Sequence, residues 1–258
     1  MLAWEPSRLA EADIVTDRSG GAGFEYWVGL HPIDVLQPAD MEELNEWYDT
    51  VHVPEVVDRN PGFTRGRRWQ LVDPEPSGSR APFWLAVYDI ADQGNADGYL
   101  QRAAAGIAVS PPFTPPPPAW KKLEVRWRLL WRAFHSRGSC EDPQRLFLVG
   151  MDPMAGASTV ERKDFDDFYS DVHVPEVMEL LGFESGKRSR CHGTIAYPGD
   201  NGPEFCAAYE STDRTPMDRA GARGRLSEGP RAWQHRRVSW RLTYERLGGS
   251  RGPGGVTS

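Results

Sequence analysis

The chain has 258 residues, a net charge of −7 and 26% charged residues, as expected for a soluble globular protein. The acidic balance argues against a nucleic-acid partner, because phosphate backbones bind basic surfaces. Without a 20-residue apolar stretch, a secretory-signal pattern or a cysteine framework, the sequence predicts a cytoplasmic protein that does not span a membrane.

The elements predicted for the first half alternate between strands and helices. Residues 1–23 form a polar arm. The predicted elements are a strand at 24–30, a helix opening with a capping box at Asp40 and Glu43, strands at 63–72 and 83–90, a helix at 95–105 and a strand from residue 123. Pro54 lacks an amide hydrogen, so the first helix is expected to kink or restart there.

A second copy of this pattern follows. Residues 47–56 return as residues 168–177, so that His52 and His173 stand 121 residues apart. The repeat predicts a first unit at 24–135, a polar linker at 136–144, a second unit at 145–247 and a disordered tail at 248–258. Each unit has the order strand, helix, strand, strand, helix, strand.

This order is that of a ferredoxin-like unit, with an antiparallel sheet and two helices on one face. The bare face of each sheet must be buried, and the other copy can cover it. The fold class predicted is therefore α+β, with two ferredoxin-like (βαββαβ) units whose antiparallel sheets pack face to face as an intramolecular pseudo-dimeric barrel. We expect a monomer, and further homodimerisation stays open.

The motif Tyr48-x-x-x-His52-x-Pro54, followed by Gly62-Phe63 and repeated in the second half, resembles the dimeric α+β barrel superfamily. Within it the sequence is most similar to the EthD-like branch. The resemblance implies the barrel fold. It also implies a choice among polyketide cyclases, cofactor-free monooxygenases, isomerases, haem-degrading enzymes and proteins without activity.

The repeated helix carries the candidate catalytic residues. A histidine four residues after a tyrosine lies on the same helix face and can act as a general acid or base. The candidates are Tyr48 and His52 in the first copy and Tyr169 and His173 in the second, with Glu55 and Glu176 as further substrate contacts. A core histidine that binds the carbonyl freed by proline is the alternative. The His-x-x-Glu pairs offer too few ligands for a metal, although either histidine could serve as a haem ligand.

Arginine and aromatic side chains form the second group of candidates. Arg68 and Arg188 occupy matching places and either form salt bridges to Asp89, Glu124 or Glu210, or anchor a substrate carboxylate or phenolate. The remaining predicted substrate contacts are Trp69, Trp84, Trp127, Trp240, Tyr88, Tyr209 and His192. Because Ser189, Phe205 and Cys206 replace larger or different side chains in the second copy, the larger pocket is expected beside His173.

These features favour a cofactor-independent enzyme for a small hydrophobic aromatic or polyketide-like carbonyl compound, with no metal. The reaction expected is proton transfer leading to cyclisation, dehydration or isomerisation, as in a lyase or isomerase of secondary metabolism. A non-catalytic protein that binds small hydrophobic ligands is the alternative from another class. A cofactor-free monooxygenase is a third.

Overall fold

The structure, a computed structural model, describes residues 23–74, 81–199, 202–215 and 219–247. The predicted tail and all but the last residue of the predicted arm lie outside the described residues. Within the described ranges, no helix is long and apolar enough to cross a membrane.

Eight strands and seven α-helices make up the described chain. The strands are β1 Phe24–Pro32, β2 Phe63–Pro74, β3 Trp84–Ile90, β4 Leu123–Gly138, β5 Arg145–Asp152, β6 Ser185–Ala196, β7 Phe205–Ser211 and β8 Arg237–Arg246. The helices are α1 Pro38–Trp47, α2 Val53–Arg59, α3 Gln93–Ala104, α4 Thr159–Phe168, α5 Val174–Leu181, α6 Arg219–Arg223 and α7 Arg231–Gln234. Strand β4 reaches Gly138, so residues 136–138 of the predicted linker belong to a strand.

The strands form one closed antiparallel barrel in the order β1-β3-β2-β8-β5-β7-β6-β4. The predicted α+β class is confirmed. The sheets of the two halves do more than pack face to face, because β2 pairs with β8 and β4 pairs with β6. Each strand therefore has two hydrogen-bonded neighbours, and the barrel has no open edge.

Alternation along the strands divides the core into an interior and two outer layers. Side chains that alternate along a strand point to opposite faces, so Trp127, Leu129 and Trp131 enter the interior while Leu130 packs outside. The interior is filled by apolar side chains of both halves, five of them tryptophans: Trp27, Trp69, Trp127, Trp131 and Trp240. The outer layers lie under the helices.

The helix starts follow local capping chemistry. In the second half, Ser158 and Glu161 form a capping box at α4. In the first half the predicted pair of Asp40 and Glu43 is wrong. Helix α1 begins two residues earlier at Pro38, and the box joins Gln37 to Asp40. Proline suits the first helical turn because its missing donor would have no partner there.

A π-helical turn precedes the repeated proline in both halves. It covers Tyr48–His52 and Tyr169–His173 and joins α1 to α2 and α4 to α5. The amide of Val53 donates to the carbonyl of Tyr48 five residues back, and Val174 does the same to Tyr169. The wider turn accommodates the proline ring that follows. The backbone stays in the right-handed helical region up to the residue before proline, and a new α-helix begins there in each half.

The closed barrel leaves no room for a side chain at Gly150. A Cβ there would stand 2.4 Å from the indole of Trp240 and 2.8 Å from Pro203. We therefore expect Gly150→Ala to lower the free energy of unfolding by roughly 1–3 kcal/mol through overpacking. Denaturant unfolding measures this change. Gly224→Ala, at a site with no atom within 4 Å, is the control and should change stability by less than about 0.5 kcal/mol. Equal effects of both substitutions would contradict tight packing at Gly150.

Candidate active site

Two cavities lie outside the barrel, one between the helices and the sheet of each half. The second-half cavity, called here the His173 cavity, has a volume of about 710 Å³. The first-half cavity, called here the His52 cavity, has a volume of about 440 Å³. The larger cavity therefore lies beside His173, as the sequence predicted, and both volumes suit a small organic ligand.

His173 lies in a cage of aromatic rings. Its ring centroid is 4.3 Å from that of Trp233 and 5.3 Å from that of Tyr169. Burial, followed by the positive charges of Arg236, Arg241 and Arg188, lowers the pKa of His173 to about 3. The imidazole is thus neutral at physiological pH, which is the form that accepts a proton.

His52 has a similar but less cationic setting. Its ring stacks on Trp47 at 4.8 Å and meets the edge of Phe113 at 5.3 Å. Burial lowers the pKa of His52 to about 4, with Glu55 opposing the shift and Arg68 adding to it. Among the described residues, Nδ1 of neither His52 nor His173 has a hydrogen-bond partner. The alternative of a core histidine bound to a freed carbonyl is not supported.

Paired tyrosines complete each site. Tyr48 and Tyr88 line the His52 cavity, and Tyr169 and Tyr209 line the His173 cavity. Burial raises the pKa of Tyr48 to about 12 and raises the pKa of the other three phenols as well. All four hydroxyls therefore stay protonated. Tyr88 interacts with Tyr48 and Tyr209 with Tyr169, so one hydroxyl of each pair, that of Tyr48 or Tyr169, can donate to a developing oxyanion.

The two repeated glutamates hold loops and do not line either cavity. Glu55 accepts hydrogen bonds from the amide (2.9 Å) and hydroxyl (2.6 Å) of Thr114. Glu176 accepts the same pair of bonds from Ser227, the one from the amide at 3.2 Å. Their prediction as substrate contacts was wrong. The carboxylates fix the segments that wall each cavity, because Phe113 and Ser227 are lining residues.

Arg68 of β2 and Arg188 of β6 bind helical residues at or next to the π-helical turns. Arg68 pairs with Asp49 at 2.8 Å, and Arg188 pairs with Asp166 at 2.7 Å. Salt bridges were one of the two predicted roles, but the expected partners were wrong: Asp89 and Glu210 pair with Arg67 instead. Arg188 is fully buried and lines neither cavity, so it is not a substrate anchor.

Several predicted substrate contacts lie elsewhere. Trp69, Trp127 and Trp240 fill the barrel interior, because they stand on the inward face of their strands. Trp84 and Arg68 border only a small void with room for about 10 Å³, the space of one water. His192 binds Asp97 of α3 at 2.6 Å and lines neither cavity, so it does not enlarge the second site.

Sequence reasoning missed the segment that closes each site. Trp120 and Trp233, which stand at matching places before the last strand, cover His52 and His173. The Ala-Trp pair repeats in the sequence and could have been recognised as a site element. Arg219, Arg223 and Arg236 also line the His173 cavity, and no repeated pattern marks them.

The barrel with helices outside defines the fold class of the chain as a dimeric α+β barrel type. The solved structure of a candidate chlorite dismutase is similar, with a TM-score of 0.53, 11% identity, and 88% of this chain and 95% of that chain covered. An anthrone oxidase-like protein aligns with a TM-score of 0.49 and 10% identity over 92% of this chain and 96% of that chain. At such identities the likeness shows the fold alone. No family model and no curated protein matches the sequence.

The sequence resemblance left a haem ligand open, and a haem would need a suitable side chain in the larger cavity. An iron-binding histidine normally donates its other ring N–H to a carboxylate or carbonyl. Within the described ranges, the buried Nδ1 of His173 has no such acceptor, and Glu176 is bound to Ser227. No group of three or more His, Cys, Asp or Glu in those ranges is arranged for a metal. The residues do not fit a haem ligand.

The buried histidines predict a specific loss of stability in mild acid. Below the unfolded-state pKa of 6.5 the unfolded chain binds protons that the folded chain does not, so stability falls as pH falls. Each of the two histidines therefore lowers the free energy of unfolding by about 2 kcal/mol at pH 5 relative to pH 8. We expect His173→Gln to reduce the loss of stability between pH 8 and pH 5 by about that amount, measured by urea unfolding.

The control for this measurement is His235→Gln, at an exposed ring outside both cavities. It should keep the pH dependence of the parent protein. An unchanged pH dependence in His173→Gln would show that the ring of His173 is not held neutral by burial.

Proposed function

We propose that the chain is an enzyme that transfers a proton on a flat aromatic or polyketide-like carbonyl compound, without a cofactor, in the His173 cavity. The observation that carries this proposal is a neutral, partly buried histidine beside two protonated phenols in a cavity of about 710 Å³. A base and oxyanion donors on one cavity wall are the groups that enolisation requires.

In this mechanism His173 accepts the proton from the carbon next to the carbonyl group. The electron pair of that C–H bond moves toward the carbonyl oxygen and forms an enolate. Tyr169 donates a hydrogen bond to the oxygen, Tyr209 supports Tyr169, and the nearby guanidinium groups favour the negative charge of the oxygen. In the protein without substrate, these positive charges disfavour protonation of His173. When the enolate forms beside them, its negative charge offsets theirs, so that His173 can hold the proton. Cyclisation, dehydration and isomerisation all proceed from such an enolate.

The same arrangement supports a view of the chain as two covalently joined units. We propose that residues 24–135 and 145–247 are ferredoxin-like units of a duplicated chain, and that they resemble the EthD-like branch. The matching π-helical turns at Tyr48–His52 and Tyr169–His173 support duplication. The smaller, more apolar cavity at His52 supports a second site with a different task.

Two alternatives share the cavity but differ in outcome. A cofactor-free monooxygenase would begin with the same deprotonation and then consume oxygen. A non-catalytic binder would retain the ligand unchanged. The candidate chlorite dismutase named above is a precedent for enzymatic use of this fold, though its identity of 11% carries no specific reaction.

The test is exchange of the acidic carbon-bound protons of 2-tetralone in deuterated buffer, followed by proton NMR. The parent protein should accelerate exchange, and His173→Gln should reduce that acceleration by roughly 10²–10⁴-fold. His235→Gln is the matched control and should retain full activity. Because neutral His173 is the active form, the rate should not fall between pH 8 and pH 5 for protein that stays folded.

Each outcome separates the candidate functions. Exchange that persists in His173→Gln refutes proton transfer at this ring. Binding of 2-tetralone without any exchange favours the non-catalytic binder. Oxygen uptake that accompanies exchange favours the monooxygenase. His52→Gln, measured in parallel, determines whether the second site contributes.

A further inference from the structure

The His173 cavity carries an excess of positive charge. Four arginines line it: Arg219, Arg223, Arg236 and Arg241. Among the described lining residues Glu228 supplies the carboxylate, and Asp73 outside the lining pairs with Arg219. Burial and then the charge of Arg241 lower the pKa of Arg236, while burial, Arg223 and Arg241 lower that of Arg219. Guanidinium groups that repel one another in a cavity are stabilised when an anion occupies it.

Arg236 is the best placed of these cations. Its guanidinium carbon lies 3.9 Å from the centroid of the Trp233 ring, and Nη1 donates to the Trp233 carbonyl at 2.7 Å. His173 contacts the same indole. The buried Nε of Arg236 has no acceptor in the part of the chain that the structure describes. Arg236, whose Nε donor has no acceptor among the described residues, and His173 thus contact the same indole ring of Trp233.

The first half differs at the matching position. Leu123 follows the Ala119-Trp120 pair at the distance at which Arg236 follows Ala232-Trp233. Arg128, which matches Arg241, is bound by the phenols of Tyr26 at 2.7 Å and Tyr99 at 3.3 Å. The His52 cavity therefore has no counterpart of Arg236, and two phenols bind the arginine that it does contain.

We propose that Arg236, together with Arg241, binds the acidic group of a flat aromatic acid, so that the ligand of the His173 cavity is an anion. The ring system of this ligand lies among Phe147, Met151 and Trp233, and its acidic group meets the guanidinium groups. The inference rests on the site of the proposed function but not on the reaction there. It names the substrate class that the site accepts.

The test compares 2-naphthoate with 2-naphthamide, which have similar shapes and differ in charge, by isothermal titration calorimetry. The parent protein should bind the acid roughly 10- to 100-fold more tightly than the amide. Arg236→Leu, which installs the first-half residue, should remove most of this preference and change amide binding less than about 3-fold. Arg231→Gln removes an exposed arginine that pairs with Glu161 outside the cavity. It should change neither the affinity for the acid nor the affinity for the amide. Sulfate at equal concentration should not displace the acid.

Three results would overturn the proposal: equal binding of acid and amide by the parent protein, equal loss of both ligands in Arg236→Leu, or no binding of 2-naphthoate at millimolar concentration. Displacement by sulfate would also overturn it, because it would reveal a general anion site. Circular dichroism of Arg236→Leu verifies that the variant is folded. Tight naphthoate binding without proton exchange on 2-tetralone would refute the proposed function and leave this inference standing.

Discussion

Closure of the barrel is the constraint on which the rest of the structure depends. The seams β2–β8 and β4–β6 join the halves by backbone hydrogen bonds, and buried charges reinforce them. Arg67 binds Glu210 of the other half at 3.0 Å, and Lys187 binds Glu25. Desolvation raises the pKa of Glu25, but the charges of Lys187 and Arg67 outweigh it and hold the pKa at about 2. Separating the halves would break these ion pairs together with the backbone hydrogen bonds of both seams.

A filled interior moves the chemistry to the outside of the barrel. Five tryptophans occupy the central space, so a ligand can enter only between the outer sheet face and the helices. The π-helical turn determines what it meets there. Tyr169 and His173 both face the His173 cavity, while Arg188 binds the carbonyl of Asp166 and the hydroxyl of Ser170 beneath the helix. A buried arginine thus supports the helix that carries the proposed base. Its charge also adds, after burial, Arg236 and Arg241, to the lowering of the pKa of His173.

The repeat was enough to predict the element order, the α+β class and the shared face of tyrosine and histidine, because those follow from local periodicity. The partners of Arg68 and Arg188 were not predictable, since the choice between helix and strand carboxylates depends on the three-dimensional distance to Asp49 and Asp166. Alternation along β4 places Trp127, Leu129 and Trp131 on one face, but a register shift puts Val125 on the other, where it lines the His52 cavity. Alternation alone could not tell which face enters a closed interior and which lies under a helix.

The difference between the halves illustrates why pocket size cannot be read from matched positions alone. Ser189 and Cys206 replace Trp69 and Leu85, which suggested a roomier second pocket. Cys206 packs in the barrel interior, and Ser189 lies directly opposite it on the neighbouring strand, so both point inward. Because the two halves share one interior, large side chains from one half require small ones from the other. The larger cavity beside His173 therefore has another origin. Its outer wall is built from α6, α7 and the residues between them, whereas α3 and the proline-rich segment wall the cavity of the first half. The two halves diverge in these wall segments, where Arg236 stands in place of Leu123, and the proposed difference in ligand between the two sites rests on that divergence while the barrel that joins them stays closed.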